Sequence, residues 1–123
     1  MAKVYNNEEN IEKAIMCFAC FNSKEDIEMK FSELKSLIKA DDIEVVGKIY
    51  QNIKTPDLSY LIGVGKLQEL KELIDSTNAN LVVFQNELTG SKLANLQAFL
   101  NCKVIDRTML ILDIFARRAK SSE

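Results

Sequence analysis

The chain has 123 residues, 47% hydrophobic and 28% charged, which is enough to close one core and too little for two. Sixteen Lys and Arg against eighteen Asp and Glu leave a net charge of -2, which argues against a chain built only to coat nucleic acid, although a local basic patch is compatible with it. The complete lack of histidine removes Ser-His-Asp triads, Cys-His dyads and His-containing zinc sites together.

Residues 1–13 are polar and read as a flexible lead. The run AIMCFACF, Ala14 to Phe21, predicts a buried strand and is far shorter than the roughly 18 apolar residues that suggest a membrane span. It contains Cys17 and Cys20. In a strand, residues three apart point to opposite faces, so this CxxC predicts packing rather than a metal or redox pair. With Cys102 the cysteines number three and show no framework spacing, which fits a reducing, cytosolic setting. Ser23 offers a cap with Asp26 three residues on, and Ile27, Phe31, Leu34 and Ile38 recur at helical spacing to Lys39. After Asp41-Asp42, the β-branched stretch Ile43 to Tyr50 predicts a second strand.

A long connection from Gln51 to Gly65 holds the sole proline, Pro56. A helix follows from Lys66 to about Thr77, then a buried strand Leu81 to Phe84. Thr89 or Ser91 starts a third helix, Val104-Ile105 makes a short fourth strand, and a last helix runs from about Thr108 to Ala119. The alternation predicts an α/β fold of three layers, a four-stranded parallel sheet in order 2-1-3-4 flanked by helices. The last helix is apolar nearly all round, with Leu112 and Phe115 or Ile111 expected to pack on the sheet and the remainder to stay exposed, a face for dimerisation or for a following domain. All three arginines, Arg107, Arg117 and Arg118, fall in the final seventeen residues. Residues 14–107 are expected to form the domain and 108–123 to begin a helix leading into a longer protein.

Two stretches carry candidate chemistry. Gly63-Val64-Gly65-Lys66 opens a helix, where backbone N–H groups, the helix dipole and a lysine favour an anion. It fails both nucleotide fingerprints, since Tyr60 stands in place of the first P-loop glycine, Leu67 in place of Ser or Thr, and Gln68 in place of the third Rossmann glycine. Glycines serving a tight turn explain it equally well. Asp106-Arg107-Thr108 follows the fourth strand, also on the carboxyl side of the sheet, and either contacts a ligand there or supplies a cap. Asp113, amid apolar neighbours, is expected to pair with Arg117 at i+4. No catalytic pair and no metal cluster is evident.

The stretch Val104 to Ala119, VIDRTMLILDIFARRA, resembles the signature closing the N-terminal domain of HflX-family ribosome-associated GTPases. Ile62-Gly63-Val64-Gly65-Lys66 is similar to that family's IG-x-GK loop, and Asn86-Glu87-Leu88-Thr89 with Asn95-Leu96 to its DEL-S…NL segment. Val64 and Gly90 depart from the family pattern. No GxxxxGK[ST], DxxG or NKxD occurs, so the GTPase domain is expected outside this chain, which needs no cofactor of its own. The resemblance implies a full-length cytoplasmic protein that binds GTP with magnesium, docks on the large ribosomal subunit and splits or rescues ribosomes. This part would act as a ribosome-binding and regulatory module packed on a helical linker and the GTPase domain. Ribosomal RNA would be met by Lys92, Lys103, Arg117, Arg118 and Lys120, and a phosphate by Gly63, Gly65, Lys66, Asp106 and Arg107. The competing reading is a weak nucleotide-binding or ATPase domain at the Gly63 loop.

Overall fold

The computed structural model describes residues 11–121, with residues 120 and 121 described in backbone only. Eight elements alternate: β1 (Lys13–Cys20), α1 (Ile27–Ala40), β2 (Glu44–Asn52), α2 (Val64–Thr77), β3 (Leu81–Phe84), α3 (Gly90–Leu100), β4 (Lys103–Asp106) and α4 (Arg107–Ser121). The strands form one parallel sheet in the expected order, β2-β1-β3-β4. Of the lead expected over residues 1–13, residues 1–10 lie outside the described residues, and Lys13 already belongs to β1.

β1 is central, and Ala14 to Cys20 are buried on both faces. Its side chains alternate between two cores. Ile15, Cys17 and Ala19 join Leu67, Leu70, Ile74, Leu96 and Leu100 under α2 and α3, while Met16, Phe18 and Cys20 join Phe31, Leu34, Ile38, Leu110 and Ile114 under α1 and α4. Cys17 and Cys20 therefore point to opposite layers, as the strand reading requires. Each fully buried Leu or Ile contributes about 1.5–3 kcal/mol of transfer free energy, which makes these two layers the main source of cohesion.

Several ends differ from the sequence reading. Asp26, not Ser23, caps α1, its Oδ1 accepting the Met29 N–H at 3.0 Å. β2 continues past Tyr50 to Asn52, and α2 begins at Val64, so Gly65 and Lys66 already lie in its first turn. Asn78 and Asn101 end α2 and α3 in the left-handed region, at φ 58° and 55°, taking the place glycine often fills.

The inward face of α4 also differs. Leu110 and Ile114 are buried, at 0% and 9% exposure, whereas Leu112 and Phe115 are each 63% exposed. The helix is set by Asp106 at its start and by Arg117, which reaches the turn after α1, and this rotation turns Leu110 rather than Leu112 to the sheet. Arg117 does not pair with Asp113 as expected. Its Nη1 donates to Asp41 Oδ1 at 2.9 Å and its Nη2 to Asp42 Oδ2 at 3.1 Å.

Candidate functional site

A parallel sheet sends every strand toward the same edge, so all four helices begin at the carboxyl edge, where open α/β folds hold their ligands. Three of those helix starts are capped by side chains. Asp26 caps α1, Thr89 Oγ1 accepts the Lys92 N–H at 3.3 Å for α3, and Asp106 Oδ1 accepts the Met109 N–H at 3.0 Å for α4. The fourth, α2, starts at Gly63 with no side-chain cap.

The Gly63 N–H donates to Gln51 Oε1 at 2.9 Å, which ties the loop to β2. Gly63 sits at φ -70°, ψ 160°, and no described glycine has a positive φ, so a glycine-requiring turn is not what places these residues. The left-handed residue of this connection is Leu61, at φ 70°. It is held by reciprocal backbone bonds with Asp57 at 2.9 and 3.0 Å, and it delivers Ile62 into the core. Gly65 has no atom within 4 Å of where a Cβ would stand. Lys66 Nζ is 3.2 Å from Glu69 Oε1. Beneath it, burial pushes the Cys17 thiol far up, against the opposing pull of the Lys66 charge, so Cys17 stays a protonated core residue.

Asp106 is 3% exposed and spends both carboxylate oxygens inside the fold. While Oδ1 caps α4, Oδ2 accepts the Leu88 N–H at 2.9 Å, so one side chain sets both the β3–α3 loop and the start of α4. Arg107 follows, exposed, in the first turn of α4. The two groups of phosphate candidates are not brought together: Asp106 ends β4 and Gln51, which holds Gly63, lies on β2, so the two inner strands stand between them, roughly 14 Å or three interstrand spacings across.

The basic candidates divide likewise. Lys92 lies in the first turn of α3 at the carboxyl edge, whereas Lys103 begins β4 at the opposite edge with Nζ 3.8 Å from Glu12 Oε2. Arg117 and Arg118, near the end of α4, also lie toward that opposite edge, and the side chain of Lys120 is outside the described set.

Asn86, named in the sequence only as part of the segment resembling the family, has a structural role that its residue type did not foretell. Its Oδ1 accepts the Ala19 N–H and its Nδ2 donates to the Ala19 carbonyl, both at 2.8 Å, adding a side-chain rung above the β1–β3 ladder. The signal was its position, an amide just past the third strand. Around this edge stand the exposed apolar side chains Phe21, Leu58 and Val64, of which Leu58 is 87% exposed. Among the described residues no group of three or more Cys, Asp or Glu is placed to hold a metal ion, and no helix is long and apolar enough to cross a membrane.

A family model described as GTP-binding GTPase N-terminal matches residues 28–116, from α1 into α4. The chain belongs to the GTP-binding GTPase N-terminal family. The GTPase HflX of Alkalihalophilus pseudofirmus is 45% identical over 117 residues, covering 94% of this chain and 28% of that protein. That of Escherichia coli is 37% identical over 112 residues, 91% of this chain and 26% of that protein. The HflX N-terminal domain expected from the residues is thereby borne out, and the chain spans about a quarter of the length of these relatives. A solved GTP-binding protein from the hyperthermophilic archaeon Sulfolobus solfataricus, in complex with GDP, superposes with a TM-score of 0.62 at 21% identity, over 85% of this chain and 30% of that one. This GTP-binding GTPase N-terminal domain thus shares its fold with part of that protein.

Proposed function

We propose that this chain is the ribosome-binding and regulatory module of an HflX-type GTPase. The full-length protein, in this reading, is cytoplasmic, binds GTP with magnesium, docks on the large ribosomal subunit and splits or rescues ribosomes. The observation that favours binding over catalysis here is the internal use of Asp106, whose two oxygens are taken by Leu88 and Met109 and are not offered to a substrate. At the carboxyl edge Lys92 and Arg107 supply charge for RNA phosphates, and Phe21, Leu58 and Val64 supply apolar contact. Lys103, Arg117, Arg118 and Lys120 belong to a second contact near the far end of α4. The exposed face of α4, Met109, Leu112 and Phe115, receives the helical linker and GTPase domain, and it promotes dimers of the chain when those are absent.

Co-sedimentation with purified large ribosomal subunits tests this reading. The chain is expected to pellet at low salt, to be released as salt rises, and to lose binding on Arg107→Glu or Lys92→Glu. Failure to pellet at any salt concentration refutes it.

One observation favours the alternative, a weak nucleotide site at Gly63, Gly65 and Lys66: α2 begins there without a side-chain cap, leaving first-turn N–H groups for an anion. A fluorescent ATP analogue should then bind the chain, and Lys66→Ala should abolish that binding without changing ribosome pelleting. No saturable binding removes the alternative.

A further inference from the structure

We propose that the outer edge of β2, with the cleft between it and α1, docks an extended segment of a protein partner that presents apolar and acidic residues together on one of its two faces, at every second position. This inference is independent of the ribosomal reading. β2 is nine residues long and ends the sheet, and none of its residues is fully buried, whereas the neighbouring β1 is buried almost throughout. No described strand lies beyond it.

The Ile53 N–H donates inward to the Cys20 carbonyl at 2.9 Å, and strand alternation therefore turns the N–H and C=O of Lys48, Tyr50 and Asn52 outward. A bulge blunts only the start of the strand: Ala14 pairs with Val45 but Ile15 with Gly47, leaving Val46 extra and Gly47 to Asn52 in regular register. Native edges are commonly closed to pairing by bulges or charges along their length. Over its last six residues β2 carries one charge, Lys48, and that side chain is turned toward α1 by its pairing with Glu28, so it leaves the outward backbone groups uncovered.

The cleft beside that edge supplies the specificity. It holds about 420 Å³, with Met16, Phe31 and Val45 as an apolar floor and Ser32, Lys35 and Lys48 along the rim. An added strand places alternate side chains on this face, over the floor, in the manner of strand-addition recognition. Lys48 is already committed, 3.1 Å from Glu28 and 5.4 Å from the centre of the Phe31 ring. Among the described residues no carboxylate pairs with Lys35, so the unbalanced charge of the cleft is positive and calls for a carboxylate on the incoming strand.

The test is amide NMR of the chain titrated with an N-acetylated, C-amidated peptide, Thr-Val-Thr-Glu-Thr-Val-Thr, which sets Val, Glu and Val on one face, against the same peptide with Lys in place of Glu. Saturable shifts centred on Lys48, Tyr50 and Asn52, slower exchange of those amides, and weaker binding of the Lys peptide are expected. Lys35→Glu lies on an exposed helix flank, keeps the fold and is expected to weaken the acidic peptide about tenfold, while Lys35→Arg preserves binding. Absence of shifts on β2, shifts centred elsewhere, equal binding of both peptides, or an edge already paired with a second copy of the chain would each overturn the proposal.

Discussion

Arg117 of α4 and Asp41 at the end of α1 are joined twice: Nη1 donates to the Asp41 carboxylate at 2.9 Å and to its carbonyl oxygen at 2.7 Å. The same guanidinium reaches Asp42, itself in the left-handed region at φ 60°. One side chain thus fixes both the turn that ends α1 and the direction of α4.

The Asp41 carboxyl is raised to about 6, first by burial and then by its hydrogen bond with Asp113, against the lowering effect of Arg117. The native state therefore holds a proton that the unfolded chain has released. The resulting stabilisation is complete below about pH 4 and is lost as pH rises through 6. Asp41→Asn keeps an acceptor oxygen and removes the titration, so in urea melts it should gain on the parent chain progressively between pH 4.5 and 7.5. Asp113→Asn should bring the Asp41 midpoint down. Parallel pH profiles for parent and Asp41→Asn would contradict the assignment.

Asp106→Ala strips the acceptor from two N–H groups at once, a helix cap and a buried loop bond. A loss of about 2–3 kcal/mol in denaturant unfolding is expected, with faster exchange at the Leu88 and Met109 amides. A change confined to one of those amides would mean that the two oxygens act separately.

Leu110 and Leu112 stand two residues apart on α4 with opposite surroundings, 0% and 63% exposed. Leu110→Ala should cost about 2–5 kcal/mol by cavity formation. Leu112→Ala should stay within about 0.5 kcal/mol in the monomer. Equal effects would place α4 in another rotation.

Gly65→Ala adds a methyl group into open space in the first turn of α2, where φ is not positive, and should be neutral or stabilising by up to about 1 kcal/mol. Gly63→Ala should cost stability, because its Cβ would stand 3.3 Å from Gln51 Nε2 and press on the side chain that holds the Gly63 N–H. The pair of thermal melts separates the two glycines.

The sheet was readable because its strands are short apolar runs set between helical periods: Leu81 to Phe84 was delimited to the residue, and the order β2-β1-β3-β4, with α1 and α4 on one face and α2 and α3 on the other, keeps every crossover right-handed. The rotation of α4 was not, since Leu110 with Ile114 and Ile111 with Phe115 are two apolar pairs, each four residues apart, that compete for the inward place. Its orientation rests on Arg117 meeting Asp41, a contact across 76 residues that local spacing cannot reveal. The segments 63–66 and 106–107 lie at the carboxyl edge, as the alternation of strands and helices implies, while their separation across the sheet depended on Gln51 gripping Gly63 and Asp106 gripping Leu88. Neither amide nor carboxylate bears a local motif that announces such a role.

β1, apolar from Ala14 to Cys20, lies in the middle of the sheet, yet the rungs on its β3 side come from residues 81–84 and then from Asn86, which is 67 positions beyond Ala19. During synthesis at roughly 5–20 residues per second, about 3–13 s pass between the emergence of Ala19 and that of Asn86. Throughout that interval the stickiest strand of the nascent chain has one unpaired side, even if β2 has already arrived on the other. Premature pairing of β1 with another polypeptide is thus the characteristic hazard of this topology, and slow translation through the α2 stretch lengthens it.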